Sequence, residues 1–222
     1  MLIINTKIVL WNRKSLFIAM MFIAQGLKAQ NQFLQLTLGA GAGIVTTYAS
    51  PTTKPNIAFN GNACYYPLSY MNVEVEGQIG KLGGETFNQS GNNFTNKYQA
   101  GIVVLNLQLG NFLERSRDPF STFLRNAYVG AGFGLIHNRV TSTINTDYYY
   151  HNIIPLIPIK LGYEFNLSSD FGAPILKMDL SYSFNSTLGR GLYGDYGPVS
   201  QPVNSYGYFS VNLKYAINLE RY

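Results

Sequence analysis

The sequence has 222 residues, which is room for one large domain or two small ones. Its formal net charge is +5, but four of the 16 basic residues lie in a leader that we predict is removed, leaving 12 basic against 11 acidic groups. A mature chain so close to neutrality does not favour nucleic-acid binding. The 14% aromatic content argues against a disordered chain, and a single cysteine excludes a disulfide scaffold.

The N-terminus has the layout of a secretory signal peptide. Lys7, Arg13 and Lys14 provide a positive region, residues 16–24 are continuously apolar, and Ala29 is a small residue suited to cleavage. The apolar segment is shorter than the roughly 20 residues that a membrane-spanning helix needs. We therefore predict a signal peptide over residues 1–29, with an uncleaved anchor or an amphipathic helix as the alternative.

From Gln30 onward the chain alternates apolar and polar residues with a period of two, which indicates β-strands. The fourth of these segments is less regular, because Ile102 and Val104 occupy the positions where polar residues are expected. Eight strands are predicted, near residues 34–47, 56–66, 70–80, 98–109, 125–137, 154–167, 174–185 and 206–220.

The lengths of these segments favour a barrel that crosses a membrane. Strands in globular proteins average about 5–6 residues, whereas a tilted strand that spans a bilayer needs about 9–11. The connections at 48–55, 81–97, 138–153 and 186–205 are long, and two of the three others are short, at 67–69 and 168–173. Alternating long and short connections are typical of outer-membrane barrels, and only the connection at 110–124 departs from the pattern.

The charged residues of the strands must then point into the barrel, since a lysine facing lipid near the midplane costs about 2–4 kcal/mol. Eight strands enclose a space that side chains fill, so we predict a packed interior of paired charges and no wide pore. The alternative is a soluble protein whose charges lie on a solvated sheet face. The predicted interior charges are Glu74, Glu76, Lys160, Glu164, Lys177, Asp179 and Lys214.

Aromatic residues near the predicted strand ends suggest girdles at the two membrane interfaces, because amphipathic rings favour that position. The predicted girdle residues are Tyr48, Tyr65, Tyr66, Tyr70, Tyr98, Tyr163, Phe165, Tyr182, Phe184 and Phe209.

Two prolines interrupt the sixth predicted strand; we place Pro155 at the entry of the strand and Pro158 at a bulge.

Four features together resemble small outer-membrane β-barrels of Bacteroidetes-type bacteria and, more distantly, the membrane domain of OmpA and its OmpX-like relatives. They are the Ala29-Gln30 junction, the glycine-rich first strand, and the runs at 128–132 and 154–162. The resemblance implies an eight-stranded barrel with both termini in the periplasm. The C-terminal aromatic residue of such barrels is out of phase here at Tyr222, and no peptidoglycan-binding domain is expected after the last strand.

The sequence carries no clear catalytic or metal-binding pattern. The glycine runs at 39–43 and 130–134 lack the sixth-position glycine of a dinucleotide fingerprint. His137 and His151 have no adjacent serine of the kind that lipid-trimming barrel enzymes use, and a metal site needs more ligands than these. We therefore predict no enzyme activity and no cofactor.

The long connections carry tyrosine, asparagine and glycine, which are adaptable recognition residues. We expect a non-enzymatic outer-membrane barrel with structural, adhesive or recognition roles. A narrow channel or a subunit of an envelope transport complex, a lipid-modifying enzyme and a soluble ligand-binding barrel remain alternatives. Expected partners are outer-membrane lipid and an extracellular ligand or envelope protein, with the chain itself a monomer. The candidate recognition residues are Tyr148, Tyr149, Tyr150, His151, Arg190, Tyr193, Asp195 and Tyr196.

Overall fold

A computed structural model describes residues 35–48, 53–68, 70–85, 93–109, 124, 126–142, 149–170, 173–189, 192 and 204–218. The predicted signal peptide and Tyr222 lie outside these residues. The described chain is built from strands in which apolar and polar residues alternate, as the sequence indicates. They are β1 (Gln35–Thr47), β2 (Thr53–Lys54), β3 (Asn56–Leu68), β4 (Met71–Glu85), β5 (Asn93–Gln108), β6 (Ala127–Ser142), β7 (Tyr149–Asp170), β8 (Ala173–Thr187) and β9 (Ser205–Asn218).

The strands form one antiparallel sheet that closes on itself. β1 pairs with both β3 and β9, each later strand pairs with the next, and β4 pairs with β5 to complete the ring. The stagger is found by starting at Gly43 and moving from each residue to its paired residue on the next strand. The path through β3 arrives at Asn152 of β7, and the path through β9 arrives at Gly162 of the same strand. This stagger of ten residues requires tilted strands, typically by about 35–45° in a closed barrel. The predicted eight-stranded antiparallel barrel is confirmed, with the two-residue β2 added beside β4.

Several strands extend further than the sequence pattern suggested. β5 and β6 have 16 residues each, and β7 has 22. The ladder between β4 and β5 continues to Glu85 and Asn93, so most of the predicted loop 81–97 is strand. The predicted loop 138–153 shrinks in the same way, because β6 continues to Ser142 and β7 begins at Tyr149.

Both proline positions differ from the prediction. Pro155 is the seventh residue of β7 and so lies well inside the strand, with its side chain exposed on the outer wall. Pro158 is buried, and the β6–β7 register is the same on either side of it, so the predicted bulge is wrong. A proline removes one ladder donor without adding a residue, and the register therefore has no reason to shift. The irregularities of β7 lie instead between Asn166 and Ser169.

The two ends of the barrel differ. We call the end that holds Thr47, Glu85, Ser142 and Thr187 the loop end, and the opposite end the turn end. At the turn end only residues 69–70 separate β3 from β4, and only residues 171–172 separate β7 from β8. Among the described residues, no helix has the length and apolar character needed to cross a bilayer.

Candidate functional site

The interior of the barrel holds a buried ion-pair cluster centred on Lys160. Its ammonium group lies 2.8 Å from Oε1 of Glu74 and 2.8 Å from Oε2 of Glu76. Lys160 is 2% exposed and Glu74 is fully buried, so neither charge has access to water. These residues face inward because they share the parity of the inward positions on β7 and β4. A charge in such surroundings is retained only when it is paired, as these three are.

A second cluster lies beside the first and joins three neighbouring strands. The carboxylate of Glu164 on β7 forms ion pairs with the ammonium groups of Lys177 on β8 and Lys214 on β9, each with an N–O distance of 3.2 Å. Lys214 also lies 3.1 Å from Oδ2 of Asp179. The structure thus places all seven of the predicted charged residues inside the barrel, in two groups that together contain four carboxylates and three ammonium groups.

Neutral side chains complete the coordination of these carboxylates. Tyr66 donates its hydroxyl proton to Glu164 at 2.8 Å, and Tyr128 donates to Asp179 at 2.9 Å. The amide of Asn106 donates to Glu74 at 2.8 Å, and that of Gln78 donates to Glu76 at the same distance. Since a carboxylate has several acceptor sites, these donors occupy acceptor sites that the lysine ammonium groups do not use. Tyr66 was predicted to lie in a girdle, which is wrong: it is inward and part of the network.

Glycines on β1 and β6 provide the space that these long side chains occupy. A Cβ atom at Gly41 would collide with Asn212 and the β9 backbone, and one at Gly130 would collide with Asn106. Both glycines face inward, and in each case the asparagine that occupies the space is the paired residue on the neighbouring strand. The interior is therefore filled to contact, as expected of an eight-stranded barrel.

A cluster of buried apolar side chains extends from the level of the ion pairs toward the loop end, and Asn96 and Asn138 are buried beside it. The alternating sequence pattern did not predict this cluster. Tyr98, predicted to be a girdle residue, is buried there, so that prediction is also wrong. Leu192, from the connection between β8 and β9, is fully buried in the same cluster, and its carbonyl oxygen accepts the Asn96 amide at 2.9 Å. The apolar inward positions of β5, which made its pattern irregular, belong to this core. The cluster comprises Val45, Ala58, Leu82, Phe94, Tyr98, Ala100, Ile102, Val104, Ile136, Val140, Ile154, Leu156, Leu192, Tyr206 and Tyr208.

The outer wall carries a belt of exposed apolar side chains, as a surface in contact with lipid requires. Aromatic residues do gather on this wall at the loop end: the Tyr48 and Tyr182 hydroxyls are hydrogen-bonded, and the rings of Tyr48 and Phe184 lie 5.7 Å apart. The belt includes Leu38, Ile44, Ile57, Phe59, Val75, Ile79, Leu105, Phe133, Leu135, Ile153, Ile157, Ile159, Leu161, Phe209, Val211 and Leu213.

The predicted recognition residues divide into two groups. Tyr149, Tyr150 and His151 belong to strand β7 and not to a loop, with His151 exposed on the outer wall. The side chains of His137 and His151 stack there, with ring centroids 6.0 Å apart. The others, Tyr148, Arg190, Tyr193, Asp195 and Tyr196, lie outside the described residues.

A row of cations on the outer wall was missed by the sequence analysis. Lys81 pairs with Lys97 across β4 and β5, and Lys97 pairs with Arg139 across β5 and β6. All three side chains are exposed, and we call them the cation row. The next position in the same register is His151 of β7. Only the pairing register reveals this row, because its members are widely separated in sequence.

The cation row borders a cavity of about 920 Å³ in the outer wall. Exposed apolar side chains of β1, β3 and β4 form one side, and the cations of β4 to β6 form the other. Within the described ranges no three His, Cys, Asp or Glu side chains gather as metal ligands would. The chemistry available here is therefore charge attraction and apolar contact. The principal lining residues are Ile44, Ile57, Phe59, Ile79, Lys81, Lys97, His137 and Arg139.

Comparison with known proteins identifies relatives in fold. No protein-family model and no curated protein matches the sequence. Among solved structures, Ail, the attachment invasion locus protein of Yersinia pestis, in complex with the heparin analogue sucrose octasulfate, has 12% identity and a TM-score of 0.50 over 83% of this chain and 99% of that one. Neisserial surface protein A matches with 12% identity and a TM-score of 0.49, over 81% and 96% of the two chains.

The architecture defines the class of protein. A closed eight-stranded barrel with an apolar outer belt and an ionic interior is the construction of the small outer-membrane barrels, and the Ail structure shares that fold. The predicted fold class and outer-membrane location are confirmed.

Proposed function

We propose that this chain is a non-enzymatic outer-membrane barrel whose loop end is a rigid platform for recognition at the cell surface. The observation that carries the proposal is the extension of the barrel wall beyond what a membrane requires. β7 has 22 residues, whereas crossing a bilayer takes about 9–11. At the loop end β7 continues past the last residue of β8, since Leu156 pairs with Thr187, and Ile154 of this extension is buried in the apolar cluster. Contacts within the protein therefore help to order the extension.

The connection between β8 and β9 supports this role. Leu192 is fully buried in the loop-end core, and its carbonyl oxygen is held by Asn96. An anchored loop loses less conformational entropy on binding than a free one, which favours affinity. The recognition residues that we propose on this connection are Arg190, Tyr193, Asp195 and Tyr196.

The ionic interior supports a structural purpose for the seven charged residues. Their ion pairs link β4 with β7 across the interior, and β7 with the neighbouring β8 and with β9 beyond it. Side chains buried to this degree leave no room for a wide aqueous path, which disfavours the channel alternative. We further propose that the barrel is a monomer, oriented with the loop end outside the cell. We also propose that it is related to the small outer-membrane β-barrels of Bacteroidetes-type bacteria.

The first probe for a ligand is heparin, because the Ail structure contains a heparin analogue. In one variant, residues 143–148 and 193–203 are replaced by short Gly/Ser turns, which leaves Leu192 in place, and cells displaying the protein are tested for binding to heparin and to host-cell monolayers. We expect binding to fall to the level of cells that lack the protein, while the barrel still folds and reaches the outer membrane.

Replacement of residues 171–172 at the turn end is the matched control and should leave binding unchanged. If both replacements leave binding intact, the recognition role is wrong. A loss that accompanies poor folding of the loop variant is resolved by substituting only Arg190 and Tyr193, which leaves the connection length unchanged.

A further inference from the structure

The cation row lies at a boundary of the outer wall. On β4 the next outward position toward the turn end is Ile79, which is 54% exposed and part of the apolar belt. Toward the loop end, the next outward positions of β5 and β6 are Thr95 and Thr141, which pair with each other. On β5 and β6 the next outward positions toward the turn end are Gln99 and His137, which pair with each other, and Leu135 follows on β6. The row therefore lies at the edge of the polar part of the wall, next to the apolar belt. In a membrane protein this is where lipid headgroups lie.

Among the side chains that the structure describes, no acid balances the charges of the row. All the acidic side chains that the structure describes point into the barrel, and the described ion pairs include none of Lys81, Lys97 and Arg139. Like charges directly opposite one another on paired strands destabilise a sheet. Three consecutive strands carry such charges here, so a bound anion would relieve the repulsion.

Beside the cation row and toward the turn end, the outer wall has space for an apolar group. Ile57, Phe59 and Ile79 line the cavity of about 920 Å³, a volume within the range of ligand sites. Further toward the turn end, Gly77 pairs with Gly101, and a Cβ at either position would contact nothing within 4 Å. The bare backbone at these two glycines continues the depression along the wall.

From this arrangement we propose that the outer wall of β4, β5 and β6 binds a phosphate-bearing lipid of the surrounding leaflet. The phosphate contacts Lys81, Lys97 and Arg139, and one acyl chain lies against Ile57, Phe59 and Ile79. Arginine and lysine both bind phosphate through charge-assisted hydrogen bonds, which are stronger away from bulk water. This site is on the lipid-facing wall, so it is independent of the loop recognition proposed above.

Phosphatidic acid is a suitable probe, because diacylglycerol has the same acyl chains without the phosphate. The folded protein in a maltoside detergent, which contains no phosphate, is titrated with each lipid, and bound lipids are counted by native mass spectrometry. We expect saturable binding of one phosphatidic acid and much weaker binding of diacylglycerol. The triple variant Lys81→Gln, Lys97→Gln, Arg139→Gln should bind phosphatidic acid roughly tenfold or more weakly.

Lys54→Gln is the matched control, because Lys54 is exposed at the loop end but does not line the cavity. It should bind phosphatidic acid like the wild type. Phe59→Asn, which leaves the cations unchanged, should also weaken binding, because it removes part of the acyl contact. Each variant is first shown to be folded by its heat-modifiable mobility.

Three results would overturn the proposal. Equal binding of diacylglycerol would show that the cations do not contribute. An equal loss in Lys54→Gln would indicate attraction by overall charge. Displacement of phosphatidic acid by millimolar inorganic phosphate, with no effect of Phe59→Asn, would show an ion site without a lipid component.

Discussion

Lys160 and Glu74 are 86 residues apart in sequence, yet the ammonium group of one lies 2.8 Å from a carboxylate oxygen of the other at the centre of the barrel. Their strands are not neighbours in the sheet, since β5 and β6 separate β4 from β7. The pair therefore crosses the interior and braces opposite parts of the wall. A bond of this kind forms only when the ring of strands has closed.

Removing Lys160 should be strongly destabilising. Lys160→Met leaves Glu74 and Glu76 buried without their cation, and breaking a buried pair in this way typically costs about 3–5 kcal/mol. Urea unfolding in maltoside micelles, followed by circular dichroism, measures the change in free energy. The control is Lys97→Met, the same substitution on the outer wall, which should cost less than about 1 kcal/mol. Equal effects of the two substitutions would contradict a structural role for the interior pair.

The two buried tyrosines Tyr128 and Tyr98 should respond differently to loss of the hydroxyl group. Tyr128 donates to the Asp179 carboxylate, so Tyr128→Phe should cost about 1.5–3 kcal/mol. The Tyr98 hydroxyl is buried and has no hydrogen-bond partner among the described residues, so Tyr98→Phe should be neutral or slightly stabilising. The same unfolding measurement tests both, and a larger cost for Tyr98→Phe would refute the hydrogen-bond assignment.

Glycines of the wall should tolerate substitution according to the face that they occupy. Gly41→Leu drives a side chain into Asn212 and the β9 backbone, and we expect a loss of roughly 3 kcal/mol or more, or failure to fold. Gly77→Leu points into open space on the outer wall and should fold normally. Refolding yield into lipid vesicles distinguishes them. Normal folding of Gly41→Leu would mean that the interior is not packed to contact.

A sealed interior predicts that the protein does not conduct ions. In planar bilayers, the folded barrel should give no stable open level above the baseline. The interior variant Glu164→Ala together with Lys214→Ala removes the side chains that join β7 to β9, so any conductance should be larger in that variant. Steady conductance by the wild type would favour the channel alternative.

Closure also predicts resistance to detergent. Apart from the two-residue β2 and the two ends of β7, the strands are paired on both sides through most of their length, which leaves few backbone groups for a denaturant to engage. Without boiling, the protein should migrate faster in a dodecyl sulfate gel than the heated form. Identical mobility before and after heating would be evidence against a closed barrel.

Much of the inward and outward assignment could be predicted from the sequence. Alternation with a period of two fixes the face of every residue in a strand once one residue is assigned, and the cost of a charge in lipid assigns Lys160 and Glu164 to the inside. The same parity would have placed Tyr66 and Tyr98 inside as well. The girdle prediction failed for these two because it relied on their proximity to the strand ends and not on their parity.

The sequence by itself determined the number of strands in the ring, the class of barrel and the inward face of the seven interior charges, because these depend on local periodicity and on the free energy of placing a side chain in lipid. Only the tertiary structure decided which charges meet, how far the strands continue past the apolar belt, and that Lys81, Lys97 and Arg139 lie side by side. Those relations depend on the stagger with which the sheet closes, and stagger is a property of the complete ring that no single strand contains.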